Sequence, residues 1–206
     1  MRTKSAVVEE FRIHTIQEAA LRVISRLGLE GASMQAVAAE AGIAKGTIYL
    51  YFESREDMIA RTATWAVSQL TKRLEPLLAE SNRTAFAETL RQIVETKLEF
   101  FHAHREVFRL YREVCASDKS RSDACSRNRK HYDEYLQSLS ALLRRAMKRG
   151  EVHRAEPDRL ALFIAEGVHA VIIRRLSETK SLEPAAEAQW IVDLLLRGVA
   201  GTGSRG

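Results

Sequence analysis

Three features of the sequence predict an all-α protein. Only 3 prolines and 10 glycines occur in 206 residues, while the helix formers Ala, Leu, Glu and Arg are abundant. Apolar residues recur at spacings of three and four, as on one face of an amphipathic helix. The hydrophobic fraction of 46% is sufficient for a packed core. We expect about nine helices, divided between a small domain over residues 1–54 and a larger one over 55–200.

Residues 1–54 predict three helices. Apolar residues with helical spacing mark the first helix, and Gly28 is expected to end it. Ser33 is expected to cap a second, short helix, and Ala44 precedes a third. The predicted bounds are about 6–27, 34–41 and 45–50. The stripe of the first helix consists of Ile13, Ile16, Ala20, Val23, Ile24 and Leu27.

The second and third helices are joined by the small-residue turn Ala41-Gly42-Ile43. Such a turn lets two helices cross steeply, as in a helix-turn-helix. The third helix is short and polar, which suits a helix that lies in the major groove of DNA. Its N-terminus would offer backbone N–H groups and the positive end of the helix dipole to a phosphate. We therefore expect residues 1–54 to bind DNA.

Several side chains of this segment are candidates for DNA contacts. Lys45 can bind a phosphate or a guanine, and Gly46 lets the backbone approach closely. Hydroxyl groups at Ser33, Thr47 and both tyrosines can bond to phosphates. One of the two tyrosines is alternatively a packing residue, and Arg55 is alternatively the partner of Glu53 or Glu56. Ile48 and Phe52 are expected in the core. The candidate DNA-binding residues are Ser33, Ala44, Lys45, Gly46, Thr47, Tyr49, Leu50, Tyr51 and Arg55.

The net charge does not by itself support DNA binding. The chain has 32 Lys and Arg against 27 Asp and Glu, a net charge of +5. Residues 1–57 hold 7 basic and 8 acidic residues, whereas 105–149 hold 12 and 6. Because the basic excess lies outside the predicted DNA-binding segment, the prediction depends on individual side chains rather than on the overall charge.

Residues 55–200 predict a second group of helices. Ser54 is expected to cap the first of them, and Pro76 to bend or end it. Gly150 is expected to end a long helix that follows a polar loop over 117–126. Residues 201–206 are expected to be disordered. The remaining helices are predicted over about 86–101, 105–116, 132–147, 157–177 and 184–199.

The N-terminal 60 residues or so resemble the tetracycline-repressor (TetR) family of transcriptional regulators. The resemblance implies a three-helix DNA-binding domain, a larger helical domain that binds a small effector, and a homodimer formed by the last two helices. It also implies a repressor that binds a palindromic operator; an activator or a helical interaction protein is the alternative. Ala44 and Leu50 depart from the common Ser and the common His or aromatic residue. The resemblance is carried by Ile16, Ala19, Ala20, Gly28, Ser33, Val37, Ala38, Ala41-Gly42-Ile43, Lys45 to Tyr49, Tyr51-Phe52 and Ser54 to Glu56.

The resemblance also guides predictions for the second domain, because the last two helices are apolar for helices at the end of a monomer. The predicted dimer interface consists of Ala161, Ile164, Ala165, Val168, Ile172, Trp190, Ile191, Leu194 and Leu195. A pocket for a hydrophobic or amphiphilic effector is expected among the middle helices, with ordinary core packing as the alternative. The candidate pocket residues are Trp65, Phe86, Phe101, Phe108, Tyr111, Tyr135 and Phe163.

Other patterns are expected to carry no chemistry. No nucleophile, phosphate-binding loop or metal-ligand spacing predicts an enzyme, a cofactor or a metal site.

Cys115 and Cys125 are interpreted as reduced thiols, with a redox role as the alternative. His169 is interpreted as an interface residue. No apolar run approaches the roughly 18 residues of a membrane span, so we expect a cytoplasmic protein. The arginines at 105, 109, 112, 144, 145, 174 and 175 either pair with local acidic residues or include an anion clamp.

Overall fold

A computed structural model describes residues 4–79, 84–105, 123–176 and 183–197 of the chain. Every regular element in these ranges is an α-helix, as the sequence predicted. The predicted helix over 105–116, with the pocket candidates Phe108 and Tyr111, lies outside the described residues, and so do Cys115 and residues 201–206. The eight described helices are α1 (Lys4–Gly31), α2 (Met34–Glu40), α3 (Lys45–Ile48), α4 (Arg55–Ala79), α5 (Phe86–Ala103), α6 (Asp123–Lys148), α7 (Pro157–Leu176) and α8 (Pro184–Arg197).

The chain forms two compact units. The first comprises Met1–Ser68 and His104–Arg129, and the second comprises Gln69–Ala103 and Lys130–Gly206. We predicted the boundary after residue 54, whereas the first unit includes α4 as far as Ser68. The reason is packing, because the guanidinium of Arg61 lies 4.5 Å from the centre of the Phe52 ring.

Local signals set the limits of the helices in the first unit. Gly28 interrupts α1 with a φ of 69°, a left-handed conformation that favours glycine. The Ser33 side chain accepts a hydrogen bond from the Ala36 N–H at 3.1 Å and caps α2, as predicted. Ser54 likewise accepts from the Asp57 N–H at 3.0 Å at the start of α4. These caps satisfy donors that a helix leaves without partners at its N-terminus.

Of the two outcomes predicted for Pro76, a bend or an end of the helix, the end was wrong. The helix continues through Pro76 to Ala79. A proline removes only its own N–H donor from the helical hydrogen bonds, and Pro76 is followed by just three residues of the helix. No described helix is both long and apolar enough to cross a membrane.

In the second unit α5 packs against both α7 and α8. Nine of its residues are buried, and its contacts with two other helices place α5 at the centre of this unit. The end of α6 supplies further core residues, and Gly150 follows it with a φ of 77°, as expected for a glycine after a helix. The core residues of α5 and α6 include Phe86, Leu90, Ile93, Val94, Leu98, Phe101, Leu139, Leu142, Leu143 and Ala146.

Candidate nucleic-acid interface

The turn between α2 and α3 has the geometry of a helix-turn-helix. The Ile43 N–H donates to the carbonyl of Ala38 at 3.0 Å, and the Gly42 N–H donates to that of Ala39 at 3.1 Å. Gly42 has a φ of 69°. This pair of bonds with a left-handed glycine is the Schellman arrangement that ends a helix. It fixes the direction in which the chain enters α3.

The N-terminus of α3 is open to solvent. Ala44 has an extended backbone, with φ −64° and ψ 146°, and offers no side-chain cap, as predicted. Lys45 and Gly46 follow it and are exposed. A Cβ added to Gly46 would meet no atom within 4 Å. The first turn of α3 can therefore approach a ligand closely, with the Lys45 amine beside it.

The side chains at the end of α3 and just after it separate into an exposed and a buried set. Tyr49 is 50% exposed and Leu50 is 78% exposed. Ile48 and Phe52 are buried, which confirms their predicted place in the core. Tyr51 is half-buried, and its carbonyl accepts a hydrogen bond from Arg61 at 2.6 Å. Of the two tyrosines, Tyr49 therefore has the more accessible hydroxyl-bearing side chain.

The other candidates lie beside α3 in different settings. The Ser33 oxygen accepts the capping bond from Ala36, and its proton remains available for donation, since a hydroxyl is both donor and acceptor. Ser33 is exposed and Thr47 is half-buried. Both hydroxyls belong to the same helix-turn-helix as Lys45.

Arg55 is held within the protein rather than displayed on it. Its guanidinium donates to the carbonyl of Ala32 at 3.0 Å and to that of Leu29 at 2.5 Å. It also lies 3.6 Å from the Glu56 carboxylate, one of the two acidic partners considered from the sequence. These contacts join the start of α4 to the segment between α1 and α2. The structure therefore favours a positioning role for Arg55 over a contact with DNA.

Most residues predicted for the dimer interface face the interior of their own chain. Six of them are buried within the single chain and so leave little surface for a second copy to cover: Ala161, Ile164, Ala165, Val168, Ile172 and Ile191. Trp190 is 55% exposed, Leu194 is also exposed, and Leu195 is half-buried. The exposed apolar residues of α7 are instead Leu162 and Phe163. Because α7 carries apolar residues around much of its circumference, its spacing pattern did not distinguish the core side from the outer side.

The structure does not bring all the pocket candidates together. Trp65 belongs to the first unit, where its ring centre lies 5.9 Å from that of His14. Phe86 and Phe101 are buried on α5 in the second unit, and Tyr135 is half-buried there. Phe163 is 69% exposed and lies on the outer side of α7, one position before the buried Ile164, which does not favour its place in a pocket within the chain.

Sequence reasoning missed one charged residue, Lys97 in the middle of α5. Only 6% of it is exposed, and its amine lies 4.7 Å from the centre of the Tyr135 ring. A signal was present, because Lys97 lies three and four positions after the apolar pair Ile93 and Val94 and four before Phe101. A cation in an apolar stripe predicts a buried charge.

The arginines considered for an anion clamp pair within the chain where the structure describes them. Arg144 lies 2.7 Å from Asp158, and Arg175 lies 2.9 Å from Glu187. Arg145 donates to the Leu78 carbonyl at 2.6 Å. Arg105 and Arg174 also have partners, whereas residues 109 and 112 lie outside the described ranges. These contacts support the interpretation of local pairing over an anion clamp.

One remaining interpretation from the sequence concerns His169, which was expected to be an interface residue. His169 is exposed on α7, and its ring centre lies 6.4 Å from that of Phe101. Within the described ranges, no three His, Cys, Asp or Glu side chains are grouped to hold a metal ion.

Comparison with known sequences assigns the N-terminal unit to a family. Residues 16–62 match the family described as bacterial regulatory proteins, tetR family. The fatty acid metabolism regulator protein of Bacillus subtilis is 23% identical over 198 residues, which cover 89% of this chain and 93% of that protein. The transcriptional regulator BetI of Vibrio campbellii is 26% identical over 98 residues, 48% of this chain and 49% of that protein.

Solved structures share the fold over nearly the whole chain. The TetR-family regulator PfmR of Thermus thermophilus superposes with a TM-score of 0.70 at 22% identity, covering 90% of this chain and 99% of that chain. FadR of Bacillus subtilis, solved in complex with stearoyl-CoA, has a TM-score of 0.68 at 19% identity, with coverage of 91% and 99%. Residues 16–62 thus form a helix-turn-helix domain of the tetR family, and over most of its length the chain is similar to a fatty acid metabolism regulator and shares the fold of a TetR-family transcriptional regulator.

Proposed function

We propose that this regulator is a repressor that binds a palindromic operator as a homodimer and is released from it by an amphiphilic small molecule. The open N-terminus of α3 is the observation that carries the DNA-binding part. A regulator of bacterial transcription acts where the chromosome is, so we place it in the cytoplasm. An activator with the same DNA contacts is the alternative.

The proposed DNA contacts centre on α3. Lys45 supplies a positive charge beside exposed backbone, and Gly46 presents no side chain to keep the DNA away. Tyr49 is the more accessible tyrosine and can donate its phenol proton to a phosphate. Leu50, the most exposed apolar residue of the segment, can contact a thymine methyl group. Ala44, Ser33 and Thr47 complete the proposed surface.

The proposed dimer uses the exposed apolar residues of α7 and α8. Leu162, Phe163, Trp190 and Leu194 would be covered by a second copy, since exposed apolar groups of this size mark interaction surfaces. Two-fold symmetry would place two α3 helices in successive major grooves, roughly 34–36 Å apart for each turn of DNA.

The proposed effector carries an apolar chain. The comparisons support this class, because a similar protein is named for fatty acid metabolism and a solved structure with the same fold holds stearoyl-CoA. Release follows by linkage, because an effector that binds the DNA-free conformation more tightly lowers the affinity for the operator by the same factor.

Transcription in vitro from a promoter that carries the operator distinguishes a repressor, which lowers the amount of transcript, from an activator, which raises it.

A DNA-binding titration tests the proposed contacts. An operator is first selected from a random duplex library with the wild-type protein. Lys45→Ala should reduce the magnitude of the slope of log affinity against log salt by about 2, because each dimer loses two phosphate contacts. Tyr49→Phe should lose about 1–3 kcal/mol per dimer through two phenol hydrogen bonds.

The matched control for Lys45 is Lys72→Ala, which removes an exposed lysine of α4 from the second unit. This control should bind the operator as the wild type does. Unchanged affinity and unchanged salt slope in both Lys45→Ala and Tyr49→Phe would overturn the assigned contacts. Failure of the wild type to select any duplex would overturn the proposed function itself.

A further inference from the structure

The buried lysine of α5 has no counter-ion among the described residues. Only 6% of Lys97 is exposed, in the unit whose core α5 forms. Removal of an ammonium group from water is unfavourable unless it is paired. The contact found for it is the ring of Tyr135, at 4.7 Å from the amine. A cation–π contact offsets only part of the lost hydration.

The nearby carboxylates have other partners. Glu95 pairs with Arg91 at 2.6 Å on the same helix. Glu166 accepts a hydrogen bond from Tyr132, whose ring centre lies 6.4 Å from that of Tyr135. Burial and this hydrogen bond raise the pKa of Tyr132, so Tyr132 remains a neutral donor to Glu166. Neither carboxylate is paired with the Lys97 amine, whose contact among the described residues is the Tyr135 ring.

The surroundings of this amine are apolar. On α5 the residues one turn away are Ile93, Val94, Phe100 and Phe101, and all four are buried. Tyr135 adds a half-buried ring with a phenol group as a second donor. The Phe100 ring also lies 5.3 Å from the guanidinium carbon of Arg73, and the Phe101 ring centre lies 6.4 Å from that of His169. A buried amine next to apolar side chains matches a molecule with one negative charge and an apolar chain. Several phosphates would need several cations.

We infer that Lys97 binds the carboxylate of the amphiphilic effector, and that Tyr135 contributes a second hydrogen bond to it. This inference rests on the proposed function, and it specifies the effector as a free long-chain carboxylic acid. The ion pair would form in a low-dielectric setting, where it is stronger than at the surface. A neutral alcohol with the same chain could fill the apolar surroundings but would leave the lysine unpaired.

Direct binding measurements with three probes test the inference: laurate, 1-dodecanol and lauroyl-CoA. Wild-type protein should bind laurate at least about tenfold more tightly than dodecanol, as expected for one charge-assisted hydrogen-bonded pair. Lys97→Met keeps the volume and removes the charge. It should bring the affinity for laurate down to that for dodecanol, and leave dodecanol binding unchanged. Tyr135→Phe should lower laurate affinity by a smaller factor.

Lys72→Met is the matched control, since it removes an exposed lysine; it should bind all three probes as the wild type does. If Lys97→Met does not fold, Lys97→Arg keeps the charge and should retain the preference for laurate. Equal binding of laurate and dodecanol by the wild type would overturn the inference. So would unchanged laurate binding by Lys97→Met, or binding of lauroyl-CoA but not of laurate. None of these outcomes depends on DNA, so failure here is distinct from failure to bind an operator.

Discussion

At the residue scale, two glycines of the helix-turn-helix have different structural reasons to be glycine. Gly42 has a φ of 69°, a conformation that side chains with a Cβ rarely adopt. Gly46 has no such constraint and lies in α3 with open space around its Cα. The first glycine is explained by the fold, whereas the second is explained only by something outside the chain that approaches α3. We assign that role to DNA.

Alanine substitutions separate the two cases. Gly42→Ala should lower the free energy of unfolding by about 1–2 kcal/mol, because it forces a Cβ into the left-handed region. Gly46→Ala should raise it by up to about 1 kcal/mol, since alanine favours a helix over glycine, and yet it should weaken operator binding.

Urea unfolding and DNA titration of the same two variants measure both effects. Equal stability of Gly42→Ala and the wild type would contradict the role of the turn. Full operator affinity of Gly46→Ala would contradict the close approach of α3 to DNA.

The contacts of Arg55 were only partly predictable from its neighbours in sequence. The adjacent Glu56 was a visible candidate partner, and the ion pair forms at 3.6 Å. The shorter contacts are to carbonyls at Leu29 and Ala32, more than twenty positions away. Those carbonyls lie where α1 gives way to α2, so they can accept from a side chain, and the Leu29 carbonyl accepts from the Ala32 N–H at 3.2 Å as well.

At the scale of the element, the start of α5 depends on a residue that follows α6. The Phe86 N–H donates to the Glu151 carboxylate, which also accepts from Arg149. The hydrogen bond from Arg149, and then that from Phe86, lower the pKa of Glu151 below its ordinary value of 4.5. An acidic group at a helix N-terminus is favourable because it meets unpaired N–H groups and the positive end of the dipole.

Glu151→Gln should therefore reduce stability in a pH-dependent way. A carboxyl with a lowered pKa in the folded state stabilises that state above pH 4.5, and the contribution is lost as the pH falls through the folded pKa. The difference in melting temperature between wild type and variant should be largest near neutral pH and shrink below pH 4.5.

Glu75→Gln, at an exposed position of α4, is the control and should show no comparable change. Thermal melts between acid and neutral pH measure the effect. A difference between wild type and Glu151→Gln that grows on acidification would contradict the capping role.

At the scale of the whole molecule, the second unit has buried and exposed apolar residues on the same helices. Ile164 is buried in the core, while its neighbour Phe163 is largely exposed. The exposed Trp190 on α8 lies next to the buried Ile191 in the same way. The packed side of each helix stabilises the chain itself, and the outer side is the surface that we propose for the dimer.

Substitutions at the neighbouring positions 163 and 164 distinguish these roles. Phe163→Glu should convert the dimer to a folded monomer and weaken operator binding, because a charge would be buried at the interface. Ile164→Ala should instead lower the free energy of unfolding by about 2–5 kcal/mol through a cavity in the core.

Light scattering after size exclusion reports the mass, and chemical unfolding reports the stability. A Phe163→Glu protein that remains dimeric at micromolar concentration would show that the interface lies elsewhere.

The sequence by itself determined the all-α class, the helix-turn-helix and the starts of most helices. Spacing of apolar residues, capping serines and left-handed glycines act over a few residues, so Ser33, Gly42 and Ser54 could be interpreted without a fold. It also indicated Lys45, Gly46 and Tyr49 as candidate DNA contacts, because their exposure follows from a short polar helix.

Only the tertiary structure decided which side of α7 faces the core, which carbonyls bind Arg55 and that Lys97 is buried. Each of these depends on groups distant in sequence. Where a helix is apolar around much of its circumference, its own period cannot indicate the side on which a neighbour packs. The same physical reason explains why the exposure of Lys45, Gly46 and Tyr49 could be predicted from the sequence, whereas the burial of Lys97 could not.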